Sequence, residues 1–436
     1  MDFFNEVKAE EPRYNVADPL ETHTEELGNE INEAEKNAKI PKTAEDQHGE
    51  KRIVVRVMPA KARLQQFHLG NMIEPDEVVG VANIHGCLSL VSTLCQPGGK
   101  VEQKLFNFFG VTKFEELLPL RNEARWLFSL VSPTAYNLLE LESAQTCRER
   151  INLLGGEVIP LAEGVAIEGV LNGMLRGPLD LNFDLFAPNS IHNPASGEEL
   201  LLAMVAAERI KVSWITKFDE LGAQTFTTDT GMEIPASFCG DRNGRGRRLA
   251  YLRGNVFQAV GIPAKPENGS TRSMILVLPN DGHTVKEAFE DLEAVYTPFS
   301  TPQWTYQTVD VKFPKMDVLM GPKPIGKWLA PSVPEIFDAA QQPFDFALPT
   351  ATLGNAAYVG KVLHFASFQA DHEGAEAKAV TVASVVTYRS MAAEPPPPIP
   401  FHCTKPFGVL LVDGQVGGDF IVEFVAKIAD KGDVRA

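Results

Sequence analysis

The chain has 436 residues, is 44% hydrophobic, and carries a net charge of −17 from 40 basic and 57 acidic residues. That is ample apolar material for a large core, and the acidic balance argues against bulk electrostatic binding to nucleic acid or anionic membranes. Five cysteines (Cys87, Cys95, Cys147, Cys239 and Cys403) lie scattered without CxxC spacing. They predict free thiols in a reducing compartment rather than a disulfide framework.

Residues 1–50 hold 14 acids and 5 bases and few large apolar residues, so −9 of the charge sits there. A flexible acidic tail is expected over 1–50, with a single domain over 51–436. The opening MDFFNEVKAEEP places acid where a secretory signal needs base and an apolar core. The expected location is therefore cytoplasmic, with extracellular release without a leader as the alternative.

Ala60 to His68 reads as a helix and Val78 to Val81 as a short strand. Asn83 to Cys95 and Val101 to Phe109 have helical apolar spacing, split by Pro97-Gly98-Gly99. The uncharged stretch Val78 to Gly99 carries Asn83, His85 and several hydroxyls, which predicts a buried helix rather than a membrane span. Trp126 to Val131 reads as a strand, TAYNLLELESAQTCRERINLL as helical, and Glu157 to Leu161 as another strand. From Leu200 onward short apolar runs dominate: LLLAMVAA, MILVLP, VDVKFPKM, KVLHFASFQA, FGVLLV and FIVEFV. Helices first and strands later predict an α+β domain built around large antiparallel sheets.

The segment Asp371 to Phe407 stands apart. From Gly374, alternate residues place Ala375, Ala377, Ala379, Thr381, Ala383 and Val385 on one face. Glu376 and Lys378 fall on the other, because side chains alternate across a strand. No proline interrupts 375–394, so every backbone donor there is available to a ladder. Pro395 to Pro398 then ends any strand and predicts a polyproline II rod. Read locally, this is a lone amphipathic strand with a stiff linker.

Several segments, in order, resemble the serpin family over roughly residues 60–430. VSWITKF (212–218) resembles an element in which a tryptophan precedes a phenylalanine by four. ILVLPNDG (275–282), VDVKFPKM (309–316) and IFD (336–338) resemble three further family segments. YVGKVLHFASFQADHEGAEA (358–377) is the strongest match. TKPFGVLLVD and FIVEFVAKI resemble the two closing strands.

The resemblance implies a serpin-like α+β fold: a large, mostly antiparallel central sheet, two further sheets, about eight or nine helices, and an exposed reactive loop near 371–405. It implies an endopeptidase inhibitor that is a suicide substrate. A serine protease, or a cysteine protease of cathepsin type, attacks the loop through its nucleophile. The cut loop then enters the central sheet as a new strand. The hinge would be Glu373, Gly374, Ala375, Glu376, Ala377, Lys378 and Ala379. A charge on the inward face would block entry, since an unpaired buried charge costs several kcal/mol, and none is there. Family spacing from Gly374 puts the cut after Tyr388, whereas Arg389–Ser390 suits a trypsin-like pocket, so Tyr388, Arg389 and Ser390 all stay candidates. The expected partner is a trypsin-like or chymotrypsin-like protease, and the alternative is a non-inhibitory binding or chaperone protein on the same fold. A monomer without cofactor or metal is expected.

Trp214, His364 and Asn83 are expected where the sheet parts. The chain departs from the family at Ala82-Asn83, where Ser-Pro is usual, at Ala206, where asparagine is usual, and at Glu423, where glycine is usual. The usual partners of His364 are missing, and Asn83 or His85 is the expected substitute. The basic stretch GDRNGRGRR (240–248) reads as a mobile loop or hairpin tip, either solvated or contacting a polyanion or a protease. Asn268-Gly-Ser fits a glycosylation acceptor only in an exported chain. No Walker loop, HExxH, paired Cys/His spacing or GxSxG elbow occurs, so catalysis by the chain itself is not expected.

Overall fold

The computed structural model describes residues 78–120, 125–192, 199–208, 210, 212–266, 271–295, 304–375, 397–414, 416 and 420–435. All of them belong to one unit, Arg56–Ala436. The expected tail, the helix at 60–68, Asn268, the hinge residues 376–379 and the bonds at 388–390 lie outside the described residues.

Strand β1 (Val78–Gly80) leads directly into helix α1 (Val81–Thr93). Almost every residue of α1 is buried, as its uncharged composition requires. Its hydroxyls are satisfied on the helix's own carbonyls: Ser89 Oγ donates to His85 O, Ser92 Oγ to Ser89 O and Thr93 Oγ1 to Leu90 O, each at 2.7 Å. Helix α2 (Lys100–Phe109) follows. It ends at Gly110, whose φ of 71° lets the chain close a left-handed cap.

After β2 (Arg125–Val131), the stretch read as continuously helical divides into α3 (Pro133–Leu139) and α4 (Gln145–Leu153). Ser132 caps α3 by accepting from Ala135 N at 3.3 Å, with Pro133 at the first helical position. Strand β3 (Gly156–Pro160), helix α5 (Ile167–Leu179) and strand β4 (Leu202–Glu208) complete this half. In the ladder β3-β2-β4, β2 runs parallel to β3 and antiparallel to β4. Helix α5 packs Leu171 and Leu175 with Phe128 and Leu130 of β2.

The rest is mainly β: β5 (Val212–Ser213), β6 (Asp219–Thr227), β7 (Glu233–Gly240), β8 (Arg247–Arg253), β9 (Phe257–Pro263) and β10 (Arg272–Pro279). Helix α6 (Val285–Val295) separates these from β11 (Thr305–Pro314) and β12 (Met316–Pro324). Two short helices, α7 (Gly326–Leu329) and α8 (Thr350–Leu353), precede β13 (Leu363–Ala370) and β14 (Gly374–Ala375). Three strands close the chain: β15 (Ile399–His402), β16 (Phe407–Gly414) and β17 (Phe420–Ile428).

Ten strands join in the order β1-β17-β16-β10-β9-β8-β11-β7-β6, with β15 added parallel to β11. The β16/β17 hairpin is buried over most of its length, which is why FGVLLV and FIVEFV read as continuous apolar runs rather than alternating ones. Strands β12 and β13 form a separate antiparallel pair, as do β14 and β5. Glu423 occupies a β-bulge, because Leu411 faces Phe424 while Val412 faces Val422.

Candidate functional site

Strands β4 and β13 face each other across a cavity of about 1280 Å³, and among the described residues no ladder joins them. Its floor is α1, through Asn83, Ile84, Cys87, Leu88 and Val91. The apolar run of β4 shows what the gap does to burial: Leu202 through Ala206 are all only half buried. A wholly apolar strand in a filled sheet would be covered on both faces. Among the described residues, its other edge pairs with no strand and faces the cavity, the usual template for another strand.

Of the residues expected at the opening, two lie on this cavity, while Trp214 is not among its lining residues and bonds to the turn at Asp371. Asn83 and His364 both line the cavity. His364 accepts a hydrogen bond from Gly80 N at 3.0 Å through Nε2, so its expected pairing with Asn83 or His85 is corrected: its partner is backbone. Burial pushes the imidazole down to about 4, since desolvation disfavours the charged ring. His85 instead stands edge-on to Phe108 and Phe109. Asn83 Oδ1 is buried without a hydrogen-bond partner. Ala206 sits on the cavity side of β4, opposite Leu127 of β2. Burial alone raises the Cys87 thiol to about 11, so it is inert beside the cavity.

The hinge is described as far as Ala375. After β13 the chain turns at Asp371, whose Oδ1 accepts from Glu373 N at 2.8 Å and Gly374 N at 3.3 Å. Gly374 and Ala375 then pair antiparallel with Ser213 and Val212 of β5. Only glycine fits there, because a Cβ on Gly374 would lie 2.2 Å from Val212 O. The turn is held from below by fully buried Trp214, whose indole N–H donates to Asp371 O at 2.9 Å. Phe218 N donates to His372 O at 2.9 Å.

Two charged contacts add to this hold. Lys217 Nζ lies 2.6 Å from Glu373 Oε1, and its hydrogen bond draws that carboxyl below the usual range. Glu220 pairs with Lys315 and stands 3.3 Å from His372 Nδ1, and the Lys315 hydrogen bond lowers its pKa too. None of Lys217, Glu220 and Lys315 was readable as a site residue, because their partners lie far along the chain. Asp371 did leave a signal: an aspartate followed by glycine three positions on is a turn pattern.

At the far end, Pro398 leads into β15, where His402 Nε2 and Asp310 Oδ2 are 2.9 Å apart. The basic stretch 240–248 joins β7 to β8, both of which pair with β11. Arg247 makes most of its ties: the guanidinium binds Asp241, donates to the carbonyls of Thr216 and Lys217, and lies 3.9 Å over the Phe218 ring.

The family model for serpins (serine protease inhibitors) matches residues 189–427, more than half of the chain. The chain belongs to the serpin family. No curated protein sequence matches it. Among solved structures it is similar to Arabidopsis AtSerpin1 in its native stressed conformation: 15% identity, TM-score 0.64, covering 86% of this chain and 99% of that one. Tengpin, a thermophilic serpin in its native state, gives 12% identity and a TM-score of 0.65, covering 88% and 96%. Human thyroxine-binding globulin, complexed with thyroxine, gives 14% identity and a TM-score of 0.61, covering 85% and 97%. At these identities the likeness is one of fold, and the fold is the serpin-like α+β architecture that the segments resembled. Against it, β3-β2-β4 and β12-β13 are the two halves of the sheet expected to receive the loop.

Proposed function

We propose that this serpin is an inhibitory member that traps an endopeptidase by strand insertion. The observation that carries the reading is the open cavity between β4 and β13, with the hinge glycine latched close by. A single extended chain entering there would pair with both free edges. Its inward face would be Ala375, Ala377, Ala379, Thr381 and Ala383, small enough to lie over α1. Charged Glu376 and Lys378 would point to water. Tyr388, Arg389 and Ser390 remain the candidate cut residues, and the target is a serine protease or a cathepsin-like cysteine protease. Five free thiols fit a reducing compartment.

The test is incubation with trypsin, chymotrypsin and a cathepsin, read on a denaturing gel. Mass spectrometry of the released C-terminal fragment then identifies the cut bond. The expected result is a complex stable to SDS and a large rise in melting temperature after cleavage. Complete cleavage with no complex, and an unchanged melting temperature, would leave a non-inhibitory binding protein. One observation favours that second reading: the hinge is tied to β5 by Lys217, Trp214 and Gly374 rather than starting into the cavity.

A further inference from the structure

We infer that Arg245, Arg248 and Tyr306 form a docking surface for the target protease, one that selects proteases with acidic residues beside the active-site cleft. The inference rests on the reading that 376–396 is cut by a protease. Of the four arginines in the 241–248 stretch, two serve the fold. Arg247 is used as described above, and the Arg242 guanidinium donates to Glu220 O at 3.3 Å. Arg245 and Arg248 are exposed and take part in no ion pair or side-chain hydrogen bond among the described residues.

Strand register sets an aromatic residue beside them. Arg248 faces Thr308, and Ala250 faces Tyr306, so Arg248 and Tyr306 are diagonal neighbours on one face of the β8/β11 pair. Tyr306 is 57% exposed, the most exposed aromatic among the described residues. Arginine and tyrosine are the side chains that most often dominate binding at interfaces.

The surface stands where the reactive segment returns to the body. A Cβ on Gly246 would lie 2.8 Å from the Pro398 Cβ, and β15 begins with Ile399 opposite Val309 of β11. Arg389 precedes Pro398 by nine positions. Even fully stretched, such a tether reaches about 30 Å. A protease domain of ~230 residues is roughly 45 Å across. A protease seated on the candidate bonds therefore overhangs the ground around Pro398.

The charge of the whole chain, −17, would repel an acidic partner at a distance. Screening at physiological salt acts over about 8 Å, and the near acids Asp219 and Asp241 are engaged by Arg242 and Arg247, so at contact the two exposed arginines set the local sign. A basic protease loses that attraction.

The test compares wild type with the double variant Arg245→Glu/Arg248→Glu and with Tyr306→Ala. Each is challenged with the anionic and cationic isoforms of trypsin and chymotrypsin. Two quantities are read: the rate of cleavage within 376–396, and the fraction of events that end in an SDS-stable complex. The expected result is at least a tenfold slower cleavage of the double variant by an anionic isoform, little change with its cationic counterpart, and convergence of the rates in 1 M salt. Tyr306→Ala should slow the anionic isoform in the same sense and keep its deficit in salt. Equal effects on both isoforms, no effect, or no cleavage by any of the four overturns the inference. Heparin binding that is lost in the double variant while the isoforms stay indistinguishable also overturns it, in favour of a polyanion site. Isoform-selective cleavage without stable complexes upholds the docking surface and removes the trapping mechanism instead.

Discussion

The imidazole of His364 accepts a hydrogen bond from the backbone N–H of Gly80, 284 positions earlier, and so ties β13 to the start of α1. This one contact joins the edge of the cavity to its floor. Gly80 precedes α1 without any side-chain cap, which makes His364 a surrogate cap for a buried helix end. Replacing His364 with alanine strands the Gly80 N–H and leaves a void. A loss of roughly 2–4 kcal/mol is expected from the unpaired donor and the missing ring together. Thermal denaturation checks the loss, and size-exclusion and native gels check for spontaneous closure of the cavity.

The same ring makes stability depend on pH. Its folded-state pKa is lowered from 6.5 to about 4 by burial. Between those values the unfolded chain binds the proton and the folded one does not, so stability rises with pH there. The contribution is fully present above 6.5 and is lost as pH falls to about 4, by about 3 kcal/mol at most. Carboxylates titrate in the same range, so the measurement is a difference. Urea unfolding of wild type and of His364→Gln at steps from pH 7 to pH 4 should show the wild type losing its advantage. Parallel curves would refute the assignment.

Arg272 and Glu423 form the second test of the fold. The guanidinium donates through Nε at 2.8 Å and Nη2 at 3.1 Å to the two carboxylate oxygens, and both side chains are nearly covered. The bulge at Glu423 aims the carboxylate at β10. Glu423→Ala takes both carboxylate acceptors from a nearly covered guanidinium and should cost about 3–5 kcal/mol, whereas Arg272→Met with Glu423→Leu should recover most of it. Melting temperatures of wild type, Arg272→Met, Glu423→Leu and their double variant close the cycle, with Glu423→Ala measured beside them.

These contacts mark the limit of what was legible in the sequence. Apolar runs located β10, β16 and β17, because two-sided burial writes itself as consecutive large residues, whereas β11 and β13 alternate in burial and were located by their one-sided apolar residues. The small-residue alternation from Gly374 was equally plain. The pairing of Glu423 with Arg272 was not, since a single acid in an apolar strand says nothing of its partner. The partner of His364 is a backbone amide, which has no sequence signature. The gap between β4 and β13 was invisible for a related reason: LLLAMVAA reads as a buried strand whether or not its second neighbour is present.

Gly374 tests the latch. A Cβ there would meet Val212 O at 2.2 Å, so Gly374→Val must lift β14 from β5. The bonds from Trp214 N to Glu373 O and from Phe218 N to His372 O should go with it. Hydrogen exchange at the Trp214 and Phe218 amides is the measurement. Loss of protection there, with a melting temperature lower by a few degrees, is expected, and retained protection would mean that Trp214 alone holds the turn.

Thr381 tests what enters the cavity. Strand alternation from Gly374 puts it on the inward face, four positions after Ala377. Thr381→Lys would carry an ammonium over α1, whose cavity-facing residues Asn83, Ile84, Cys87, Leu88 and Val91 include no carboxylate to neutralise it. Burying that charge costs several kcal/mol, enough to stop insertion. Lys378 lies on the opposite face, so Lys378→Glu reverses a charge that insertion would leave in water and serves as the control. The expected outcome is normal loop cleavage in both variants. After cleavage the melting temperature should rise in Lys378→Glu and stay low in Thr381→Lys. An equal rise in the two would show that the severed segment goes elsewhere than between β4 and β13.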